Sequence, residues 1–162
     1  MLALEYRKHD GKNSHAAGRM LLQEMVESHT HASMPEISIT QRGKPFFPDS
    51  NLHFSISHTK HHVFCALSDK PIGIDAEELD RDIALRLADK ILSLEERIQY
   101  ESAADRRLAL LTFWVLKEAA AKCTGDGLRG YPNHTYFSLD DPRVTQLGGC
   151  LVAVIEEEKH AL

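Results

Sequence analysis

The spacing of apolar residues changes once along the chain, near Asp80. Before that point, short segments alternate between apolar and polar residues, as in strands whose successive side chains face opposite sides. After it, Ile83, Leu87 and Ile91 recur at four-residue intervals typical of a helix, and the segment 108–115 has a similar helical spacing. Strands followed by helices predict an α+β fold.

Turn-forming residues divide the chain into short predicted elements. Strands are predicted at 2–6, 37–39, 52–57, 63–67, 72–74, 135–139 and 151–155. A first helix at 14–27 begins behind Asn13 or Ser14, helices fill most of 80–123, and glycines at 125 and 127 end the last one. The turn-like segment 68–71 predicts that the strands on either side of it form a hairpin.

Length, composition and charge indicate a single-domain protein and disfavour a membrane-spanning, secreted or nucleic-acid-binding one. The chain has 162 residues, which suits one compact domain over 1–162, and no apolar run approaches the roughly 20 residues that span a membrane. The first six residues include an acid and lack the pattern of a signal peptide, so a cytoplasmic location is expected. A formal net charge of −5 disfavours nucleic-acid binding.

The three cysteines, Cys65, Cys123 and Cys150, are odd in number and widely separated. Such spacing is typical neither of a disulfide framework nor of a zinc site built from paired cysteines. Reduced, mostly buried thiols are therefore predicted.

The segment 73–77 carries two acids in a pattern that predicts a strand. Alternate side chains of a strand share a face, so Asp75 and Glu77 can point together. Magnesium prefers oxygen ligands, and Glu118 is the candidate for a third carboxylate. The alternative is a solvated strand end leading into a helix.

Trp114, Glu118 and Lys122 follow one another at four-residue intervals and share one face of a predicted helix. Glu118 and Lys122 could form an ordinary surface pair, contributing about 0.3 kcal/mol. The apolar run 113–116 immediately before them equally favours a functional position.

The segment 54–59 combines hydroxyl groups with His58 near a predicted strand end, where they could bind a phosphate together with Lys44. His58, His61 and His62 also invite a transition-metal interpretation. However, no acid or cysteine has an obvious matching spacing, so an exposed histidine turn between two strands is favoured over a zinc site.

Taken in order, these segments resemble motifs of the 4′-phosphopantetheinyl transferase superfamily, specifically its Sfp-type branch. The resemblance spans about 17–139 and rests on the segments 19–22, 43–45, 54–59, 73–77, 114–122 and 125–128. It implies transfer of 4′-phosphopantetheine from coenzyme A to a serine of an apo acyl or peptidyl carrier protein, with release of adenosine 3′,5′-bisphosphate. The segment 54–59 departs from the family pattern at Ser55 and Thr59, which puts substrate preference in doubt more than reaction type.

The resemblance also implies an architecture and a set of site residues. Two similar lobes, about 1–70 and 71–162, would be related by a pseudo-two-fold axis, with coenzyme A between them in a monomer. The implied magnesium ligands are Asp75, Glu77 and Glu118; the implied catalytic residues are Glu118, Lys122 and Glu96; and the implied coenzyme A-binding residues are Arg19, Lys44, Ser57, His58, Lys117 and Lys122. Glu118 is the best candidate for the general base.

Glu96 has two interpretations, because the resemblance implies a pair with Lys117, whereas its spacing from Ser93 is that of a capping box. Two other functions remain open, a magnesium-dependent nucleotide phosphohydrolase and a catalytically silent module that binds coenzyme A or a carrier protein. Arg81, Arg86 and Lys90 are candidates for docking an acidic carrier, although an exposed helix face explains them equally well.

Overall fold

The computed structural model describes residues 2–127 and 136–157. Its strands are β1 (Leu2–Lys8), β2 (Ser38–Ile39), β3 (Pro45–Phe46), β4 (His53–His58), β5 (His62–Ser68), β6 (Ile72–Glu78), β7 (Val144–Leu147) and β8 (Cys150–Glu156). Its α-helices are α1 (Ser14–Thr30), α2 (Ala88–Ile91), α3 (Leu94–Ser102) and α4 (Arg106–Thr124), and Leu85–Leu87 forms a 3₁₀ turn. The predicted α+β class is confirmed. No helix within the described ranges is both long enough and apolar enough to cross a membrane.

The N-terminal sheet has the strand order β1-β5-β4, with each neighbouring pair antiparallel. Helix α1 begins at the predicted cap, where Asn13 Oδ1 accepts a hydrogen bond of 3.0 Å from the Ala16 amide. Its apolar face, which includes Leu21, Leu22 and Met25, packs against the inner side chains of β4 and β5. Burial of these side chains fixes the helix on the sheet.

The C-terminal sheet has the order β6-β8-β7, also antiparallel, and α4 packs on it. Asp105 caps the start of α4 through its side chain, and the left-handed Gly125 (φ 77°) ends it as predicted. Gly73 in β6 allows the close packing, because a Cβ there would lie 1.9 Å from the Ala119 carbonyl oxygen. The acids of β6 are therefore held next to α4.

The predicted hairpin between 63–67 and 72–74 is wrong. Strand β5 lies in the middle of the N-terminal sheet, paired on one side with β1 and on the other with β4, so it has no free edge. Strand β6 instead pairs with β8. The turn 68–71 carries the chain from one sheet to the next.

The two sheets meet edge to edge at β4 and β6, through side chains. Ser55 Oγ accepts a hydrogen bond from the Ile74 amide, and Ser57 Oγ accepts one from the Ala76 amide, both at 3.1 Å. A further apolar cluster with members from β5, β6 and β8 fills the space between the sheets. The relative position of the sheets is therefore fixed by packing and by these two serines.

Other sequence predictions need correction in the second half of the chain. Of the predicted strand 135–139, Thr135 lies outside the described residues and 136–139 are not in a strand. Strand β7 was not predicted, although Gly148 and Gly149, with φ of 60° and 78°, are typical of the tight turn of a β7–β8 hairpin. Residues 81–84 are not helical. All three cysteines are buried, as predicted, and their thiols are free.

Candidate active site

A cleft with a volume of about 640 Å³ lies between α1, the turn joining β2 and β3, β4, β6 and α4. It is lined by several residues that the sequence singled out: Arg19, Lys44, Ser57, His58, Asp75, Glu77, Glu118 and Lys122. The fold thus brings together acids and cations that are far apart in the sequence.

Asp75 projects from β6 and is only 6% exposed. Its Oδ1 accepts hydrogen bonds from Lys122 Nζ at 2.7 Å and from Ser57 Oγ at 3.4 Å. Its Oδ2 is buried without a hydrogen-bond partner among the described residues. Burial raises the pKa of Asp75, and the nearby Lys122 ammonium opposes the shift.

Glu77 lies two residues further along β6 and faces the same cleft, as the alternation of a strand requires. Its Oε1 accepts hydrogen bonds from Trp114 Nε1 at 3.2 Å and from the Arg81 guanidinium. Burial raises its pKa, and the neighbouring Asp75 carboxylate raises it further. Arg81, a predicted docking residue, is instead paired with Glu77 and lies over the Trp114 ring, whereas Arg86 and Lys90 are exposed.

Glu118 is half-buried on α4, and burial raises its pKa, with a further contribution from Asp75. The four-residue spacing of Trp114, Glu118 and Lys122 places all three on the side of α4 that faces β6. Lys122 bonds to Asp75 rather than forming the alternative surface pair with Glu118.

The three acids fit a divalent cation by their charge. Burial is the main cause of the raised pKa of each acid, the charge of Asp75 raises the pKa of Glu77 and of Glu118 further, and Asp75 has a buried oxygen without a partner in the described part of the chain. The donor set is all oxygen, as magnesium prefers. Within the described residues, the three do not gather their ligand atoms within 4.8 Å of one another. The acids therefore line the cleft without forming a closed ligand shell.

The part of the cleft formed by α1, β4 and the turn joining β2 and β3 is rich in nitrogen groups that can bind anions. His15 and Arg19, one turn apart on α1, line the cleft beside His58, and the rings of His15 and His58 lie 4.9 Å apart. His58 Nδ1 is buried and lacks a well-formed hydrogen bond to any described residue. Burial lowers the pKa of His58, and His15 and Lys122 lower it further. A bound anion would offset the positive charge of the neighbouring groups that lower the pKa of His58.

Lys44 and Arg42 reach from the β2–β3 turn to the end of α4. Lys44 Nζ donates a 2.5 Å hydrogen bond to the Cys123 carbonyl, and Arg42 pairs with Asp126. Burial lowers the pKa of Lys44. Both side chains also line the cleft, so they can serve as a connection between its walls and as part of its cationic surface.

Glu96 and Lys117 are not among the residues that line the cleft, and their implied roles in catalysis and coenzyme A binding stay predictions. They are 0% and 1% exposed, and Lys117 Nζ lies 2.8 Å from Glu96 Oε2. Glu96 also completes a capping box with Ser93 and accepts a hydrogen bond from the Phe137 amide at 2.9 Å. Both sequence interpretations of Glu96 are therefore confirmed: it forms the ion pair with Lys117 and the capping box with Ser93, at a fully buried position.

Ser57 lies at the cleft wall, but its hydroxyl is already engaged by Ala76 and Asp75. Two ionisable residues that line the cleft were not identified as site residues from the sequence, His15 and Arg42. His15 is four residues before Arg19 and Arg42 two before Lys44, so helical and turn spacing around the predicted cations could have indicated them.

A sequence model of the 4′-phosphopantetheinyl transferase superfamily matches residues 71–157. The chain belongs to this superfamily. It is 30% identical over 128 residues to the 4′-phosphopantetheinyl transferase Sfp of Bacillus subtilis (strain 168), covering 76% of this chain and 56% of that protein. It is 36% identical over 88 residues to the 4′-phosphopantetheinyl transferase gsp of Aneurinibacillus migulanus, covering 53% and 36% of the two chains.

A third relative is the 4′-phosphopantetheinyl transferase AcpT of Escherichia coli (strain K12), which is 35% identical over 114 residues, covering 67% of this chain and 56% of the relative. The similarity to Sfp confirms the resemblance to the Sfp-type branch. The chain spans about half the length of the curated relatives that it matches.

Proposed function

We propose that this protein transfers the 4′-phosphopantetheine group of coenzyme A to a serine of an apo carrier protein and releases adenosine 3′,5′-bisphosphate, as a holo-[acyl-carrier-protein] synthase. The observation that carries the proposal is one cleft to which β6 and α4 contribute three carboxylates, while α1, β4 and the turn joining β2 and β3 contribute cationic and imidazole groups. A ligand with a diphosphate and a separate phosphate matches that division.

The cationic part would bind the nucleotide end of coenzyme A. Arg19, His58 and His15 surround one region of the cleft, and their side-chain nitrogen groups can donate hydrogen bonds to phosphate oxygens. Lys44 would contribute after release from the Cys123 carbonyl. Ser57 would hold Asp75 in position rather than contact the nucleotide.

Asp75, Glu77 and Glu118 would hold magnesium, which when bound would neutralise charge on the diphosphate. Lys122, now 2.7 Å from Asp75, would neutralise charge on the transferred phosphoryl group. Trp114 and Arg81 would keep Glu77 oriented towards the cleft.

The serine of the carrier must lose a proton as its oxygen attacks phosphorus, and Glu118 is the proposed acceptor. Glu118 lines the cleft, is half-buried, and no ion pair of the described residues engages it. The partner would be an acyl or peptidyl carrier protein, and the enzyme would act as a monomer.

The test is a loading assay with coenzyme A, magnesium and several apo carriers, read by mass spectrometry. Asp75→Asn keeps the shape of the side chain and removes its charge, so we expect a loss of about 3 kcal/mol in transition-state stabilisation, roughly a hundredfold in rate. Asp49→Asn, at an exposed turn, is the matched control. Near-native loading by Asp75→Asn would contradict the assigned role.

The same assay separates the other two functions. Hydrolysis of the nucleotide without a carrier would indicate a phosphohydrolase. Tight binding of coenzyme A or of a carrier without magnesium-dependent turnover would indicate a silent module.

A further inference from the structure

Three side chains with metal-binding atoms meet on the side of β6 that faces away from the cleft. His62 lies at the start of β5, Glu78 at the end of β6 and Cys150 at the start of β8. Their ligand atoms all lie within 4.8 Å of one another, the one such group among the residues that the structure describes. We call these three residues the thiol cluster. His62 and Cys150 are buried, and Glu78 is partly buried.

The separations in the thiol cluster are close to those of a coordinated zinc ion. Cys150 Sγ is 3.8 Å from His62 Nδ1 and 3.5 Å from Glu78 Oε2, and His62 Nδ1 is 4.0 Å from Glu78 Oε1. Zinc binds sulfur at about 2.3 Å and nitrogen or oxygen at about 2.0–2.2 Å, so a tetrahedral site sets ligand atoms about 3.4–3.6 Å apart. The distance to Cys150 is measured from Oε2 and the distance to His62 from Oε1, and one ligand atom of each side chain lies within 4.8 Å of the other two, so a rotation of the carboxylate would close the cluster around an ion.

Neighbouring groups hold Glu78 in an orientation suited to metal binding. Its Oε1 accepts hydrogen bonds from the Thr59 hydroxyl at 2.7 Å and from the His61 amide at 3.2 Å. Its Oε2 faces the Cys150 thiol. One carboxylate oxygen is thus fixed by outer contacts while the other points at the remaining ligands, as at many metal sites.

We propose that His62, Glu78 and Cys150 form a site for zinc or a similar transition-metal ion, with water as the fourth ligand. Zinc would displace the proton that Cys150 shares with Glu78, so that one Zn–S bond forms and one proton is released to solvent. Thiolate and carboxylate together balance the two positive charges of the ion, which lowers the cost of burying it.

The ion would also join the two sheets, because His62 belongs to the N-terminal sheet and the other two ligands to the C-terminal sheet. Sequence spacing missed this site, since the acid and the cysteine come close to His62 only in the folded chain. The favoured sequence interpretation of an exposed histidine turn does not fit His62, which is 6% exposed.

Cobalt(II) is a suitable probe because its bond to a thiolate produces a charge-transfer absorption band. Titration of the purified full chain with Co²⁺ is expected to give this band with a one-to-one endpoint, and added Zn²⁺ should abolish it. Cys150→Ser should lack the band, whereas Cys65→Ala should retain it, because Cys65 belongs to the N-terminal core. Asp75→Asn should also retain it, which separates the thiol cluster from the acids of the cleft.

Glu78→Gln provides a second variant in case Cys150→Ser does not fold. Its side-chain carbonyl can still accept the hydrogen bond from Thr59, and we expect metal affinity to fall by more than about tenfold. Zinc should raise the melting temperature of the unchanged protein, of Cys65→Ala and of Asp75→Asn, whereas the increase should be smaller in Glu78→Gln and absent in Cys150→Ser. Absence of the band in the unchanged protein, or an undiminished band in Cys150→Ser, would overturn the proposal.

Discussion

The Ser57 hydroxyl accepts a hydrogen bond from the Ala76 amide and donates one to the Asp75 carboxylate. One side chain therefore connects the edge of the N-terminal sheet to a carboxylate of the cleft. Ser55 makes the corresponding bond to the Ile74 amide. Because Ser55 makes only the amide bond and Ser57 also bonds to Asp75, comparing the two serines separates the effect on stability from the effect on the candidate active site.

Ser57→Ala is expected to lower the free energy of unfolding by about 1–3 kcal/mol, because it leaves the buried Ala76 amide without a partner. Ser55→Ala should destabilise the protein by a similar amount for the same reason. Only Ser57→Ala should also slow carrier loading, since only Ser57 supports Asp75. Urea unfolding and the loading assay measure the two effects, and equal loading rates for both variants would contradict this role.

Removing one member of the Lys117–Glu96 pair should destabilise the fold without damaging the site. Lys117→Met leaves the fully buried Glu96 carboxylate without its counter-charge, which costs about 3–5 kcal/mol. The double change Lys117→Met with Glu96→Gln should recover part of that loss. Chemical denaturation gives the stabilities, and kcat per folded molecule should stay within a factor of about two. A large loss of kcat with normal stability would restore the implied catalytic role.

Gly73→Ala should separate α4 from β6. The new Cβ would lie 1.9 Å from the Ala119 carbonyl oxygen and 2.4 Å from the Cys123 amide nitrogen, both of which are backbone atoms that cannot turn aside. We expect destabilisation of about 3 kcal/mol or more, measured as a lower melting temperature. Gly18→Ala is the comparison, because its Cβ would meet movable side chains of His58, Ile56 and Val63, and it should cost clearly less.

Glu118→Gln should stabilise the metal-free protein at neutral pH while impairing carrier loading. The pKa of Glu118 is raised on folding, so the folded state is favoured by protonation and loses stability as the pH rises through the folded-state pKa. In chelator, the variant should therefore melt at a higher temperature than the unchanged protein above that pH. Near pH 4 the difference should shrink.

Magnesium should reverse this order, because it stabilises the protein with all three acids more than the variant. Glu36→Gln, at an exposed loop position, is the control and should change the melting temperature neither in chelator nor in magnesium. Equal melting temperatures for Glu118→Gln and the unchanged protein in chelator at neutral pH would contradict the raised pKa of Glu118.

The sequence predicted features that depend on local periodicity. Alternation in β6 predicted that Asp75 and Glu77 share a face, and four-residue spacing predicted the common face of Trp114, Glu118 and Lys122. Features that depend on which strand edges meet could not be read locally. The hairpin of β5 and β6 is excluded because β1 occupies an edge of β5, and β1 is distant from β5 in the sequence. Likewise, Cys150 comes close to His62 only in the folded chain.

The edge-to-edge contact of β4 and β6 has a consequence for solubility. Strand β4 lies at the edge of one sheet and strand β6 at the edge of the other, and two serines of β4 accept hydrogen bonds from two backbone amides of β6. Cutting the chain at the turn 68–71 and separating the halves would expose two edge strands, β4 and β6, with unpaired backbone groups. We therefore expect the separated fragments to pair with strands of other molecules and to aggregate.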